Sequence, residues 1–156
     1  LRSLVGSEMC IRDSLAAENM LDNLFEERLN KNDLLPIGND GKHLLVETSY
    51  FNPPMGLQNI LLRIKAKGYY PILAHPERYI YMEKKDYQQL KGMGVKFQLN
   101  LLAITGVYGN QIKKKAMLLL REQAIAYIGT DIHSYSLFQK SICTNITRNE
   151  KKLLDL

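Results

Sequence analysis

Short apolar runs of this sequence are each followed by a polar residue that could take part in chemistry. In chain order these polar residues are Glu47, His75, Asn100, and Asp131 together with His133. Carboxylates and imidazoles are the side chains with which proteins bind divalent metals such as zinc and manganese. Their repeated place after an apolar run predicts that they meet at one end of a sheet and form one site there.

Asp131 and His133 form the most specific local pattern. Two residues apart on extended backbone, their side chains would point to the same side and could bind one metal or two adjacent metals. The alternative is an aspartate that caps the next helix beside an incidental histidine. The presence of Glu47 and His75 at equivalent strand ends favours metal binding over a capping role for Asp131. A buried Glu47 also needs a partner, for which a neighbouring Arg or Lys is the alternative.

Arg78 closes the sequence His-Pro-Glu-Arg that begins at His75. Pro76 would turn the chain out of the strand, which places Arg78 near the rim of the sheet. Its planar guanidinium could hold two phosphate oxygens there. The alternatives are a hydrogen-bonded core histidine at position 75 and a surface salt bridge from Arg78 to Glu77 or Glu83.

The elements that must position these residues alternate between strands and helices. Apolar runs bounded by Gly or Pro suit buried strands, and they cover residues 44–46, 71–74, 95–99 and 125–128. Helical apolar faces lie between them, at residues 57–64 before Gly68, at Tyr87 and Leu90, and at 112–120. This alternation predicts an α/β fold with a parallel sheet and outer helices, whose functional groups collect at the carboxyl ends of the strands.

The composition and the missing motifs exclude several classes of protein. No apolar run approaches the ~20 residues that span a bilayer, so we expect no membrane insertion. The net charge of +5 comes from scattered basic residues, which does not indicate nucleic-acid binding. The two cysteines suggest no disulfide framework and favour a cytoplasmic location. The sixth residue after Cys10 is Ala16 and after Cys143 is Asn149, so neither has the Arg of a cysteine-dependent phosphatase. A phosphatase of this sequence would use water activated by a metal.

The two ends of the sequence are less regular. Residues 1–14 show no clean period and resemble translated adapter DNA, so we predict a non-native leader; a natural polar extension is the alternative. Residues 15–156 then form a partial domain whose N-terminal strands are missing. In the stretch 135–156 we expect only a short helix near residues 150–156.

Five blocks of the sequence resemble, in the right order, the metal-dependent tyrosine-protein phosphatases of the PHP superfamily. The blocks are residues 16–22, 45–49, 74–79, 98–102 and 129–133. The resemblance implies a distorted, here partial, β/α barrel with a cluster of divalent metals, expected to be Mn²⁺. By matched position Glu18 would bridge two metals, Glu47 and His75 would bind one metal, Asp131 a second and His133 a third. Arg78 would bind phosphate and, with His75 and Asp131, form the catalytic set.

Two departures from that family affect the expected activity. The His-x-His strand with which the family begins is absent, and the periodicity of Leu21, Phe25 and Leu29 would place Glu18 in a helix. The basic residue that often follows the Asp-x-His motif is also missing, with Lys140 the nearest cation. We therefore expect this chain alone to be a poor catalyst or none, and its full-length parent to be the active enzyme.

The predicted function is the hydrolysis of phosphotyrosine in proteins. The expected substrate is the tail of a tyrosine kinase that controls capsule or exopolysaccharide synthesis. The alternatives are a phosphoesterase for a small molecule such as histidinol phosphate, a nucleic-acid-trimming relative, and a non-catalytic truncated fragment. The oligomeric state and the natural substrate are left open.

Overall fold

The computed structural model describes residues 16–38, 40–142, 146–147, 151–152 and 154. The predicted leader and both cysteines lie outside the described residues, so the predictions about them stay predictions. None of the helices in the described ranges is long and apolar enough to cross a bilayer.

Strands and helices alternate along the chain as predicted. The strands are β1 (Glu18–Met20), β2 (His43–Glu47), β3 (Tyr70–Ala74), β4 (Lys96–Asn100) and β5 (Ile125–Gly129). The α-helices are α1 (Asn23–Lys31), α2 (Leu57–Ala66), α3 (Lys84–Gly92), α4 (Asn110–Arg121) and α5 (Tyr135–Ile142). Short 3₁₀ turns follow β3 at Pro76–Arg78 and β4 at Leu101–Thr105.

All five strands form one parallel sheet in which each strand pairs with its neighbours in the sequence, in the order β1 to β5. Parallel neighbours joined through helices bring every carboxyl strand end to the same edge of the sheet. The predicted α/β class is therefore confirmed. Closure of the sheet into a barrel, and further strands before β1, stay predictions.

The core lies between the sheet and the helices that cover it. Leu44 and Val46 of β2 and Phe97 of β4 are fully buried, as continuous apolar strands of a covered parallel sheet should be. The predicted helix faces pack against them; their buried members are Leu61, Ile64, Tyr87, Leu90, Ala116, Leu119 and Leu120. Burial of one apolar face per helix fixes the helices on the sheet and so fixes the turns that carry the polar residues.

Glu18 lies in strand β1, so the helix that local periodicity indicated for it is wrong. Asp22 has an extended backbone and accepts a hydrogen bond from Phe25 N at 2.8 Å, which makes it the N-cap of α1. Phe25 and Leu29 are buried on α1 as the periodicity required. The apolar pattern therefore belongs to a helix that starts after Asp22, and the residues before the cap pair with β2 instead.

Two further expectations differ from the structure. The run 125–128 forms β5, but only Ile125 is buried, while Tyr127 and Ile128 are exposed because β5 is the outer strand of the described sheet. Helix α5 lies in the stretch that the sequence left unassigned. Residues 151, 152 and 154 are helical, in line with the short C-terminal helix, although the rest of that segment lies outside the described residues.

Candidate metal centre

The carboxyl ends of β1, β2 and β3 bring together three potential metal ligands. His75 follows β3 directly and is only 3% exposed. Its Nε2 lies 3.3 Å from Glu18 Oε1 and 3.4 Å from Glu47 Oε2, and the two glutamate side chains are about a quarter exposed. Two atoms bound to one ion at about 2.1 Å would lie about 3.0 to 3.4 Å apart. The spacing of these three side chains therefore fits a divalent metal.

The backbone at His75 explains how its ring reaches this position. His75 has a left-handed conformation, with φ 33° and ψ 53°, which is costly for a residue with a side chain. Its backbone N donates to Gln98 O of β4 at 2.7 Å, and Pro76 begins the 3₁₀ turn that follows. The turn thus leaves the sheet immediately after β3 and holds the imidazole over the strand ends.

A second group consists of Glu18, Asp131 and His133, with one ligand atom from each residue within 4.8 Å of the others. Asp131 and His133 follow β5, and Asp131 has a left-handed backbone with φ 48°. The predicted extended backbone of this motif is therefore wrong. The two side chains still meet, since His133 Nδ1 lies 3.1 Å from Asp131 Oδ1. Glu18 belongs to both groups, as a carboxylate that bridges two ions would.

The donor atoms of both groups are suited to a divalent ion. Carboxylate oxygens with one imidazole nitrogen accept manganese, iron or zinc, so the donor set alone does not select the predicted Mn²⁺. His75 Nε2 is buried and makes no aligned hydrogen bond within the described chain. Burial lowers the pKa of His75, but the neighbouring carboxylates of Glu18 and Glu47 raise it to about 9. A metal bound at Nε2 would have to displace the proton held there.

Arg78 lies at the edge of these groups and is paired with one of their carboxylates. Its Nη1 donates to Asp131 Oδ2 and, at 3.1 Å, to the hydroxyl of Tyr50. The guanidinium also lies over the ring of Tyr108, 4.3 Å from the centroid. A surface salt bridge to Glu77 or Glu83 is therefore not the role of Arg78. Its positive charge faces the site. A phosphate group could replace Asp131 there as the acceptor of the hydrogen bonds that Arg78 donates.

The sequence missed part of the polar surroundings of these groups. Gln98 and Asn100 line a cavity of about 240 Å³ together with Glu18, His75, Asp131 and His133. The sequence indicates Asn100 only as a polar strand end, and Gln98 only as part of a block that resembles the family. The alternation of β4 was the available signal for Gln98, which precedes Asn100 by two residues and so lies on the same face of the strand. Glu77 is also fully buried, although a charged residue after Pro suggests a surface turn.

Gly129 leaves room for Gln98 inside that cavity. A Cβ built on Gly129 would overlap Gln98 Nε2 and would lie 3.0 Å from Gln98 Cδ. Because this amide ends a flexible side chain beside a cavity, we expect Gly129→Ala to displace it and to lower the free energy of unfolding by about 1 kcal/mol, the lower end of what overpacking costs. The measurement is urea denaturation.

Gly92→Ala is the matched control, because no atom lies within 4 Å of a Cβ at this last residue of α3. It should be neutral or stabilise by up to about 1 kcal/mol. Equal stabilities for the two alanine variants would contradict the close contact between Gly129 and Gln98.

The family model for capsular polysaccharide synthesis, CpsB/CapC, matches residues 7–153 of the chain. The chain belongs to the CpsB/CapC family. It is 28% identical over 111 residues to the tyrosine-protein phosphatase YwqE of Bacillus subtilis (strain 168), covering 70% of this chain and 43% of YwqE. It is 31% identical over 119 residues to the tyrosine-protein phosphatase CpsB of Streptococcus pneumoniae, covering 69% and 47%.

A solved structure from work on YwqE and CpsB, described as unique metal-dependent tyrosine phosphatases, is also similar. It superposes with a TM-score of 0.72 at 25% identity, covering 90% of this chain and 55% of that structure. The predicted resemblance is thus confirmed for the family and the fold. The chain spans about half the length of the CpsB/CapC relatives that it matches.

Proposed function

We propose that the product of the complete gene is a metal-dependent protein-tyrosine phosphatase. The observation that carries this proposal is the meeting of Glu18, Glu47 and His75 at ion-binding distances, with the Arg78 guanidinium beside the second ligand group. The tyrosine-protein phosphatase names of the CpsB/CapC relatives support the same reaction. Asp131 and His133 are proposed as further metal ligands, and His75, Arg78 and Asp131 as the catalytic set.

Each of these side chains would have a separate role in hydrolysis. When bound, divalent ions would lower the pKa of a water molecule and neutralise charge on the phosphoryl oxygens. Glu18, shared by the two ligand groups, would hold neighbouring ions together. Arg78 would donate two hydrogen bonds to phosphoryl oxygens as charge develops on them. Tyr50 is 39% exposed, and its ring lies beside that of His75 with centroids 5.6 Å apart, where the aromatic ring of a phosphotyrosine could pack.

The capsule-synthesis family supports a more specific proposal about substrate and metal. We infer that the substrate is phosphotyrosine in the tail of a tyrosine kinase that controls capsule or exopolysaccharide synthesis, and that the metal is Mn²⁺. The low cysteine content favours the cytoplasm as the place of this reaction. The five proposed ligands leave part of each coordination sphere to other groups, so we expect the chain alone to be a weak catalyst.

The test measures phosphate release from a phosphotyrosine peptide and from histidinol phosphate, by this chain and by the product of the complete gene. With Mn²⁺, the complete product should prefer the peptide, and exhaustive chelation should abolish its turnover until Mn²⁺ is restored. Undiminished turnover after chelation would exclude the metal. Preference for histidinol phosphate would select the small-molecule phosphoesterase, and no turnover of either ester would select a non-catalytic protein.

A further inference from the structure

The two ring nitrogens of His75 have different surroundings. Nε2 faces the carboxylates of Glu18 and Glu47, so Nδ1 lies on the ring edge turned away from them. Nδ1 is buried and has no hydrogen-bond partner among the described residues. A histidine that binds a metal through Nε2 keeps its proton on Nδ1, and this N–H needs an acceptor because leaving it unpaired costs free energy.

Glu77, two residues after His75 in the 3₁₀ turn, offers such an acceptor. Its side chain is fully buried, and its Oε1 accepts a hydrogen bond from the backbone N of Asn100 at 3.0 Å. Its Oε2 is buried without a partner in the described ranges. The backbone N of His75 donates a hydrogen bond to Gln98 O. His75 and Glu77 are therefore both hydrogen-bonded to residues near the end of β4. A half-satisfied buried carboxylate is costly unless a donor completes it.

Most donors around Glu77 are already engaged elsewhere. Arg78 donates to Asp131 and Tyr50. The hydroxyl of Tyr87 donates to Pro76 O at 3.1 Å, and Lys115 Nζ donates to the carbonyl of Tyr79. Among the described residues, Asn100 Nδ2 and the hydroxyl of Tyr108 are further buried donors without a partner, and they need not displace Nδ1–H, because a carboxylate oxygen can accept more than one hydrogen bond.

We propose that Glu77 is the positioning residue of His75: one buried water molecule accepts the hydrogen bond of Nδ1–H and donates to Oε2 of Glu77, since neither atom has a partner among the described residues. This contact fixes the tautomer in which Nε2 carries its lone pair toward Glu18 and Glu47. A buried water that joins otherwise unpaired polar groups is a normal part of protein interiors. The inference rests on the metal site of the proposed function and is independent of the choice of substrate.

Glu77→Gln tests this role without changing the size of the side chain. The glutamine oxygen can still accept from Asn100 N, which directs the amide NH₂ to the place of Oε2. An NH₂ group there would donate to the bridging water, which would then donate to Nδ1 and favour the tautomer with its proton on Nε2, which blocks the ligand atom. We expect the affinity for Mn²⁺, measured by calorimetry on the chain, to fall about 10- to 100-fold, as when an outer-sphere partner is lost.

The control is Glu27→Gln, which removes the same charge from an exposed position of α1. Its Mn²⁺ affinity should equal that of the wild type. Unchanged affinity in Glu77→Gln, or an equal loss in both variants, would overturn the proposal. Neither affinity measurement uses a phosphate ester. The effect of Glu77→Gln on Mn²⁺ affinity can therefore be interpreted even if the chain's relatives share no phosphatase activity with it.

A second measurement is made on the wild-type chain, and a variant serves only to assign its signals. The chain has three histidines, so ¹⁵N-histidine labelling allows the ring signals to be assigned, with His75→Asn identifying the missing set. In the wild-type chain, at a pH high enough for the ring to be neutral, we expect the remaining proton to stay on Nδ1 of His75 and to exchange slowly with water. An unprotonated Nδ1, or an Nδ1–H that exchanges as fast as that of the exposed His133, would overturn the proposal.

Discussion

Glu18→Gln in the product of the complete gene is expected to lower phosphotyrosine hydrolysis more than about 100-fold and to reduce the bound Mn²⁺ at both ligand groups. Glu18 contributes to both groups, and a neutral amide cannot replace a carboxylate that holds two cations together. Loss of an outer-sphere partner alone costs about 10- to 100-fold, so removal of a shared ligand should exceed that range. Metal content and turnover of the same preparation are the measurements.

Glu47→Gln gives the comparison that distinguishes a shared ligand from an ordinary one. Glu47 belongs only to the group that contains His75, so this variant should lose metal from one group and retain the other. Glu27→Gln controls for the change in net charge and should keep both metal content and turnover. Equal metal loss in the Glu18 and Glu47 variants would contradict a bridging Glu18, and full metal retention by Glu18→Gln would remove it from the site.

The sequence predicted the sheet and most helices because their signals are local. Apolar runs bounded by Gly or Pro located β2 to β5, and the faces at Leu61, Ile64, Tyr87 and Leu90 were buried as expected. The clustering of Glu47, His75 and Asp131 followed from one topological rule, that parallel strands present their carboxyl ends at one edge. This rule predicts that the three side chains lie close together without any local sequence motif. It does not establish the role of any of these residues.

The errors arose where backbone geometry or long-range contacts decide the structure. The strand at Glu18 depends on pairing with β2, whereas the periodicity around it belongs to α1. The left-handed backbone at Asp131 cannot be read from an Asp-x-His pattern. Glu77 looks like a surface charge in the sequence, yet burial raises its pKa to about 7 and its partner Asn100 lies 23 residues away. Such buried polar contacts are set by the tertiary fold and leave no periodic signal.

Arg78→Ala is expected to lower turnover of a phosphotyrosine peptide by about 10²- to 10³-fold, the range for losing one donor to developing charge. Metal content should not fall, because Arg78 contacts the oxygen of Asp131 without being a ligand, and its removal frees that carboxylate for an ion. Arg78→Lys keeps the charge but lacks the planar pair of donors, so it should recover only part of the activity. Arg63→Ala, which removes an exposed arginine on α2, is the control and should retain full turnover. A loss of metal in Arg78→Ala that accounts for the loss of turnover would make Arg78 a support for Asp131, and unchanged turnover would exclude it from phosphate binding.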